Sequence, residues 1–326
     1  MKILVVGGAG YLGSVLVPYL LSKDYSVNVL DLFLYGDNTL EKHKNLNIFK
    51  GDVRNIDLVS KSMKTCDIVI HLACISNDPS FELNPILGKS INYDSFEPLV
   101  KEAKKAGIAK FIYASSSSVY GINDAKDVDE KTDLKPLTDY SKFKVACEEI
   151  LNNHKSKNFI VSSVRSATLC GYSKRQRLDL IVNIFTNHAF NNKKIKIFGG
   201  DQLRPNIHVH DIAEFYYHLI NFKDDHILNG ESFNVGYENY PISEIANLVK
   251  KNFENKIEIE KISSDDIRSY HISSKKAFEV LGYKAKKPLT DAIKDLTKAL
   301  KDNKLTNPLE NEMYYNIKRM KNINLI

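Results

Sequence analysis

The stretch Lys2-Ile-Leu-Val-Val-Gly7-Gly-Ala-Gly10-Tyr-Leu-Gly13 decides the fold. Its apolar opening reads as a buried strand, and the glycines lead into a run from Tyr11 to Ser22 with helical periodicity. A strand that passes through a glycine turn into a helix is the context in which G-x-x-G-x-x-G is informative. Glycine permits the tight turn and lets backbone approach a pyrophosphate, while the helix amino end offers N–H groups to phosphate oxygens. Gly7, Gly10, Tyr11, Leu12 and Gly13 are therefore candidate contacts for a dinucleotide.

Working outward, Asp31 closes the second expected strand, where a carboxylate can accept hydrogen bonds from an adenosine ribose. The same charge repels a 2′-phosphate, and Leu32 and Phe33 bring no cation, so NAD is expected rather than NADP. Asp52 and Val53, after the third strand, could hold the adenine; a helix cap for the segment beginning near Asn55 competes with that role.

Short apolar runs alternate with amphipathic stretches through the first half of the chain, the pattern of repeated β-α-β units. Strands are predicted at Lys2 to Val6, Ser26 to Leu30, Leu46 to Phe49, Ile68 to Leu72, Phe111 to Ala114 and Phe159 to Val164. Helices are predicted at Tyr11 to Ser22, Ile56 to Met63, Pro85 to Ala106 and Tyr140 to Asn153. Right-handed crossovers then give an α/β fold with a doubly wound parallel sheet of the Rossmann kind. Residues 1–165 are assigned to this domain, and residues 166–326 mainly to a smaller C-terminal α/β substrate lobe interleaved with it. That half mixes short strands (Ile195 to Phe198, Ser232 to Val235, Ile257 to Ile262) with helices (Asp211 to Asn221, Ile242 to Phe253, Leu289 to Lys301). The pattern does not decide whether the tail from Lys304 lies on the body or frays.

Composition narrows the class. With 326 residues, 43% of them hydrophobic, the chain can bury a large core without staples. Four scattered cysteines suggest neither a disulfide framework nor a zinc site. The net charge of +6 is spread over many expected helix faces, which disfavours nucleic acid but leaves room for an anionic small molecule. No signal peptide or membrane span is legible, so a cytoplasmic location is expected.

Tyr140-Ser-Lys-Phe-Lys144 sets a phenol and an ammonium on one face of a helix. An ammonium nearby stabilises phenolate and is expected to lower the phenol from about 10 so that it can take a hydroxyl proton. The run Tyr113-Ala-Ser-Ser-Ser-Ser-Val-Tyr120-Gly falls at the carboxyl end of the fifth strand, where a serine can orient the same hydroxyl.

With these residues in place, the chain resembles the extended short-chain dehydrogenases that act on nucleotide sugars, the NAD-dependent epimerase and dehydratase family. GGAGYLG, HLAC, SSSSVYG, YSKFK and NIHVHDIA carry the resemblance, which covers roughly residues 1 to 300. It implies Ser116, Tyr140 and Lys144 as catalytic residues, with Tyr140 and Lys144 also meeting the cofactor, and Leu72 and Ala73 lining it. It implies substrate contacts from Ser76, Asn92, Ser116, Thr168, Arg177, Arg204 and Arg268. Thr168 departs from the family's usual Asn, and an amide at the surface of a helix is the competing role for Asn92. The family's 4,6-dehydratases carry Asp and Glu after the active-site Ser or Thr. Here Ser117 and Ser118 stand there, which resembles the 4-epimerase pattern and points to a nucleotide-diphosphate sugar epimerised through a 4-keto sugar.

A segment similar to Arg177-Leu-Asp-Leu occurs in enzymes that oxidise a nucleotide-linked heptose at C4, so a dehydrogenase releasing a keto product is the alternative. A non-catalytic NAD-sensing protein would not need Ser116, Tyr140 and Lys144 together. His71 is expected to be a core histidine with satisfied nitrogens. His208 and His210 are expected on one face of a strand without a third metal ligand. The family also implies a homodimer built from the helices at 85–106 and 140–153.

Overall fold

Strand β1 (Lys2–Val6) is covered on both faces, which is why Ile3 to Val6 form an unbroken apolar run rather than an alternation. The computed structural model describes residues 1–326 except 124, 126, 255, 264–268 and 324–326. Around β1 lie β2 (Ser26–Asp31), β3 (Leu46–Lys50), β4 (Ile68–His71), β5 (Lys110–Ala114) and β6 (Ile160–Ser166). They pair in parallel in the order β3-β2-β1-β4-β5-β6, and the strand Glu231–Val235 adds in parallel beyond β6. The order reverses between β1 and β4. In such sheets a crevice opens there, beyond the carboxyl ends of the strands.

Helix α1 (Gly13–Ser22) begins two residues later than its apolar pattern suggests, because Gly10 to Leu12 form the turn. Helix α2 (Ile56–Met63) starts where Asn55 accepts a hydrogen bond from the Leu58 N–H (3.1 Å), so the cap is Asn55 and not Asp52. The helix predicted from Pro85 to Ala106 is interrupted. Pro85–Lys89 passes through one wide π turn at Ser90–Asp94 before Phe96–Lys105 resumes the α form. That turn carries Asn92 inward, where its Oδ1 accepts from the Ile75 N–H (2.8 Å) and its Nδ2 donates to the Ile75 carbonyl (3.0 Å).

The later residues build two further sheets. Thr168–Cys170, Leu203–His208 and Glu238–Pro241 form one, and Lys194–Phe198 pairs with Glu258–Ile262 in the other. Ile195, Ile197, Ile245, Val249 and Ile293 close a core beneath helices Ile181–Asn192, Ile242–Lys251 and Leu289–Lys301. Helix Val209–Asn221 returns to pack on α1, so the second half of the chain completes the covering of the first sheet.

The described residues after Lys304, 305–323, lie on the body. The Tyr314 carbonyl accepts from the Leu178 N–H (2.8 Å), and a last helix, Asn316–Asn322, packs beside Asp78–Phe81. The described cysteines are all free, and among the described residues no metal-binding cluster occurs. Among them, too, no helix is long and apolar enough to cross a membrane.

Candidate active site

One cleft opens at the reversal of strand order. Its lining includes Gly7, Gly10, Tyr11, Leu12, Gly13, Asp31, Val53, Leu72, Ala73, Ser76, Ser116, Tyr140, Lys144, Thr168 and Arg177. The tertiary structure thus brings together most of the residues singled out between Gly7 and Arg177.

At one end the glycine turn needs its glycines. Gly7 has φ +84°, and a Cβ there would fall 2.5 Å from the Ala73 backbone nitrogen. At Gly13 a Cβ would sit 2.4 Å from the Gly8 carbonyl oxygen, so any side chain would push the helix off the turn. No side chain caps α1 and no acidic residue occupies its first turn, which leaves that end suited to an anion. Tyr11 sends its hydroxyl to the Gly171 carbonyl (2.6 Å), tying the turn to the second half of the chain.

Asp31 is oriented by two backbone donors. The Ala9 N–H reaches Oδ2 at 2.9 Å and the Phe33 N–H reaches Oδ1 at 2.8 Å. Burial raises its carboxyl above the ordinary range, opposed by these bonds and by the charge of Arg175. Arg175, from a loop far along the chain, lines the same cleft as Asp31. Asp52 corrects the adenine expectation in part. Its carboxylate is paired with Arg54 (2.7 Å) and, unlike Val53, is not among the residues lining the cleft.

At the other end Ser116, Tyr140 and Lys144 meet. Ser116 caps the short turn Ser117–Tyr120, its Oγ accepting from the Ser118 N–H (3.1 Å) and the Ser118 hydroxyl (2.9 Å). Tyr140, in the first turn of helix Asp139–His154, lines the same cleft as Ser116. Lys144 donates to the Ala114 carbonyl at 2.7 Å, and its ammonium lies 5.6 Å from the Tyr140 ring centre.

The phenol is not lowered as the pairing predicts. Burial pushes it well above the ordinary tyrosine range, Cys74 and Asp78 add to that, and Arg177 and the Ser116 hydroxyl act in the opposite direction. A helical four-residue spacing brings the ammonium near, but the protein packed around the ring outweighs it.

Several expected contacts fall elsewhere. Asn92 is buried and holds the Ile75 backbone, so it is neither a surface amide nor part of the cleft lining. Arg204 donates to the Leu203 carbonyl (2.9 Å) and stacks on Tyr270 at 4.9 Å. Of these two, Tyr270 lines the cleft. Arg268 lies outside the described residues. Thr168 lines the cleft half-buried, while Ser76 accepts from Arg177 Nη1 (3.2 Å).

His71 is in the core, but neither ring nitrogen has a partner; Phe96, Phe111 and Tyr113 surround it. Burial first, and then Lys144, push it down to about 3. His208 ends a strand and His210 lies in the following helix, with His208 Nε2 3.1 Å from Asp295. The strand ends between them because His208 caps the helix, accepting from the His210 N–H.

Arg175 lies in the segment Lys174-Arg-Gln-Arg177-Leu-Asp, whose basic residues suggest a substrate-pocket loop or a solvated one, and it lines the cleft; Asn316, which braces it, belongs to a tail with no motif and escaped the reading. Only the fold carries that tail to the cleft.

A parallel sheet with this order, an uncapped helix at its glycine turn and a Ser-Tyr-Lys group in the same cleft define a dinucleotide-dependent enzyme of the extended short-chain dehydrogenase class. A sequence profile of the NAD dependent epimerase/dehydratase family matches residues 3–236, and the chain belongs to that family.

A putative UDP-glucose 4-epimerase of Methanocaldococcus jannaschii is 28% identical over 93% of this chain and 100% of its own length. A dTDP-D-glucose 4,6-dehydratase of Homo sapiens is 27% identical over 93% and 90%. The UDP-glucuronic acid 4-epimerase of Bacillus cereus, solved with UDP-glucuronic acid and NAD, is 26% identical, with a TM-score of 0.84 over 93% of this chain and 100% of that one.

Proposed function

We propose that the protein epimerises a nucleotide-diphosphate sugar at C4 through a transient 4-keto sugar. The observation that carries this reading is the meeting of Ser116, Tyr140 and Lys144 in the cleft that also contains the glycine turn, with Ser117 and Ser118 in place of acids. Without a carboxylate at those positions, this turn offers no general acid for eliminating water from the sugar.

The residues fit NAD. Gly7, Gly10, Tyr11, Leu12 and Gly13 would hold its diphosphate at the uncapped helix, Asp31 its adenosine ribose, and Val53, Leu72 and Ala73 its flanks. Bound NAD would accept a hydride from the sugar carbon and return it. Tyr140 takes the proton of the sugar hydroxyl, and Ser116, fixed as a cap, holds that oxygen. Arg177 and the Ser116 hydroxyl favour the phenolate that burial disfavours, so the fraction of ready base rises with pH. Thr168 and Ser76 offer hydroxyls to the substrate, and Arg177 a guanidinium.

A second reading, a 4-dehydrogenase that releases the keto sugar, is kept by Arg177-Leu-Asp179. Arg177, paired with Asp179 (2.9 Å), forms part of the cleft wall. As in the family, a homodimer through the helices at 85–106 and 139–154 is proposed; Ile86 there is 85% exposed.

Purified protein incubated with NAD and individual nucleotide sugars, followed by NMR, tests the proposal. The 4-epimer should form without net NADH. Accumulation of NADH with a 4-keto product would replace epimerisation by the second reading.

A further inference from the structure

The loop Gly171 to Asp179 is stitched to the glycine turn. Ser173 Oγ donates to the Tyr11 carbonyl (2.9 Å) and pairs with the Ser14 hydroxyl (2.5 Å), which also accepts from the Arg175 N–H (3.2 Å). These bonds bring two arginines to the cleft beside the amino end of α1. Arg175 is 3% exposed and Arg177 8%, and both line the cleft.

Their donors are incompletely used. Arg175 Nη2 donates to Asn316 Oδ1 at 2.5 Å and the guanidinium lies 3.6 Å from the Tyr35 ring centre, but Nε and Nη1 have no hydrogen-bond partner. Arg177 gives Nε to Asp179 and Nη1 to Ser76, leaving Nη2 without a partner. Among the described residues no carboxylate comes within ion-pair distance of Arg175, and Asp179 is paired with Arg177 alone. Burial accordingly pushes Arg175 down to about 10. Leaving buried donors unmade is costly, and the planar guanidinium fork matches a pair of phosphate oxygens.

We propose that Arg175 and Arg177 form a diphosphate subsite on the cleft wall joined to the glycine turn, and that Asn316 of the C-terminal segment sets its geometry. Asn316 is 2% exposed and is the common partner of three residues on two loops. Its N–H donates to Asp179 Oδ2 (2.9 Å), its Nδ2 to Ser76 Oγ (3.0 Å), and its Oδ1 accepts from Arg175. Arg319, one helical turn on, anchors the segment by donating to the Leu34 carbonyl (2.7 Å). The tail thereby holds Arg175 on Tyr35, and both residues line the cleft. Asn316 is a positioning residue.

The subsite rests on the reading that a dinucleotide and a nucleoside-diphosphate sugar share this cleft, and either could bring the diphosphate. Equilibrium binding to the full chain separates the two sources without requiring turnover, so an absent epimerase activity would not bear on it. NADH is titrated by fluorescence, and UDP, dTDP, GDP and CDP by calorimetry, into the wild type, Arg175→Gln, Arg175→Lys and Asn316→Asp.

Arg175→Gln should raise the Kd at least about tenfold for NADH if the cofactor diphosphate is held, or for the tightest nucleoside diphosphate if the substrate diphosphate is held. Arg175→Lys keeps the buried charge but not the fork, so it should fold and weaken the same ligand. Asn316→Asp sets a carboxylate against Arg175 that competes with phosphate and should also weaken that ligand, with the melting temperature retained. Affinities within about twofold of wild type for every ligand in folded Arg175→Lys and Asn316→Asp would overturn the subsite.

Discussion

His71 allows a quantitative test of how the core beneath the site behaves with pH. It ends β4, directly before Leu72 and Ala73 of the cleft, and it is 2% exposed with both ring nitrogens unpartnered. Burial, followed by the charge of Lys144, lowers it from 6.5 to about 3 in the folded chain. The unfolded chain takes up the proton first, so stability is complete above about pH 6.5 and is lost as pH falls toward about 3. At 1.36 kcal/mol per pH unit the whole gap corresponds to about 5 kcal/mol.

At about pH 5, where most carboxylates are still ionised, the loss relative to about pH 7.5 is about 2 kcal/mol. His71→Leu removes this titration while keeping an apolar side chain among Phe96, Phe111 and Tyr113. Urea unfolding of both proteins at the two pH values isolates the histidine, because the other titrating groups are common to both. The variant should lose about 2 kcal/mol less than the wild type on acidification. Equal losses, within about 0.5 kcal/mol, would refute the assignment of His71 as a neutral, desolvated core group.

Tyr140→Phe should keep the ring and its packing yet lower turnover by about 10²–10⁴-fold, with NADH affinity unchanged by titration. Because burial raises the Tyr140 phenol, the wild-type rate of sugar oxidation should climb between about pH 6 and pH 9 in single-turnover measurements; a flat profile would contradict phenolate as the base. Gly13→Ala places a Cβ against the Gly8 carbonyl, so NADH affinity should fall by about tenfold or more and the melting temperature should drop. Glu148→Ala leaves Arg165 buried without the carboxylate it contacts at 2.7 Å, beneath Tyr120. Denaturant unfolding should show a loss of about 3–5 kcal/mol.

The sequence by itself determined the parallel sheet, since strands buried on both faces must be apolar throughout and glycine turns mark where they meet helices. It also disclosed Ser116, Tyr140 and Lys144, because spacing on one helix and position at a strand end are local properties. Protonation was not local. The ammonium four residues away suggested a lowered phenol, whereas burial, with the charges of Cys74 and Asp78 added to it, raises it.

The break at Ser90–Asp94 was equally hidden, because apolar periodicity does not distinguish a π turn from the α form and Asn92 finds its partner Ile75 across the fold. Only the tertiary structure decided that Arg175 shares the cleft lining with Asp31 and that Asn316 braces Arg175. Arg175 and Asn316 stand 141 residues apart, and long-range packing of polar groups leaves no periodic trace along the chain.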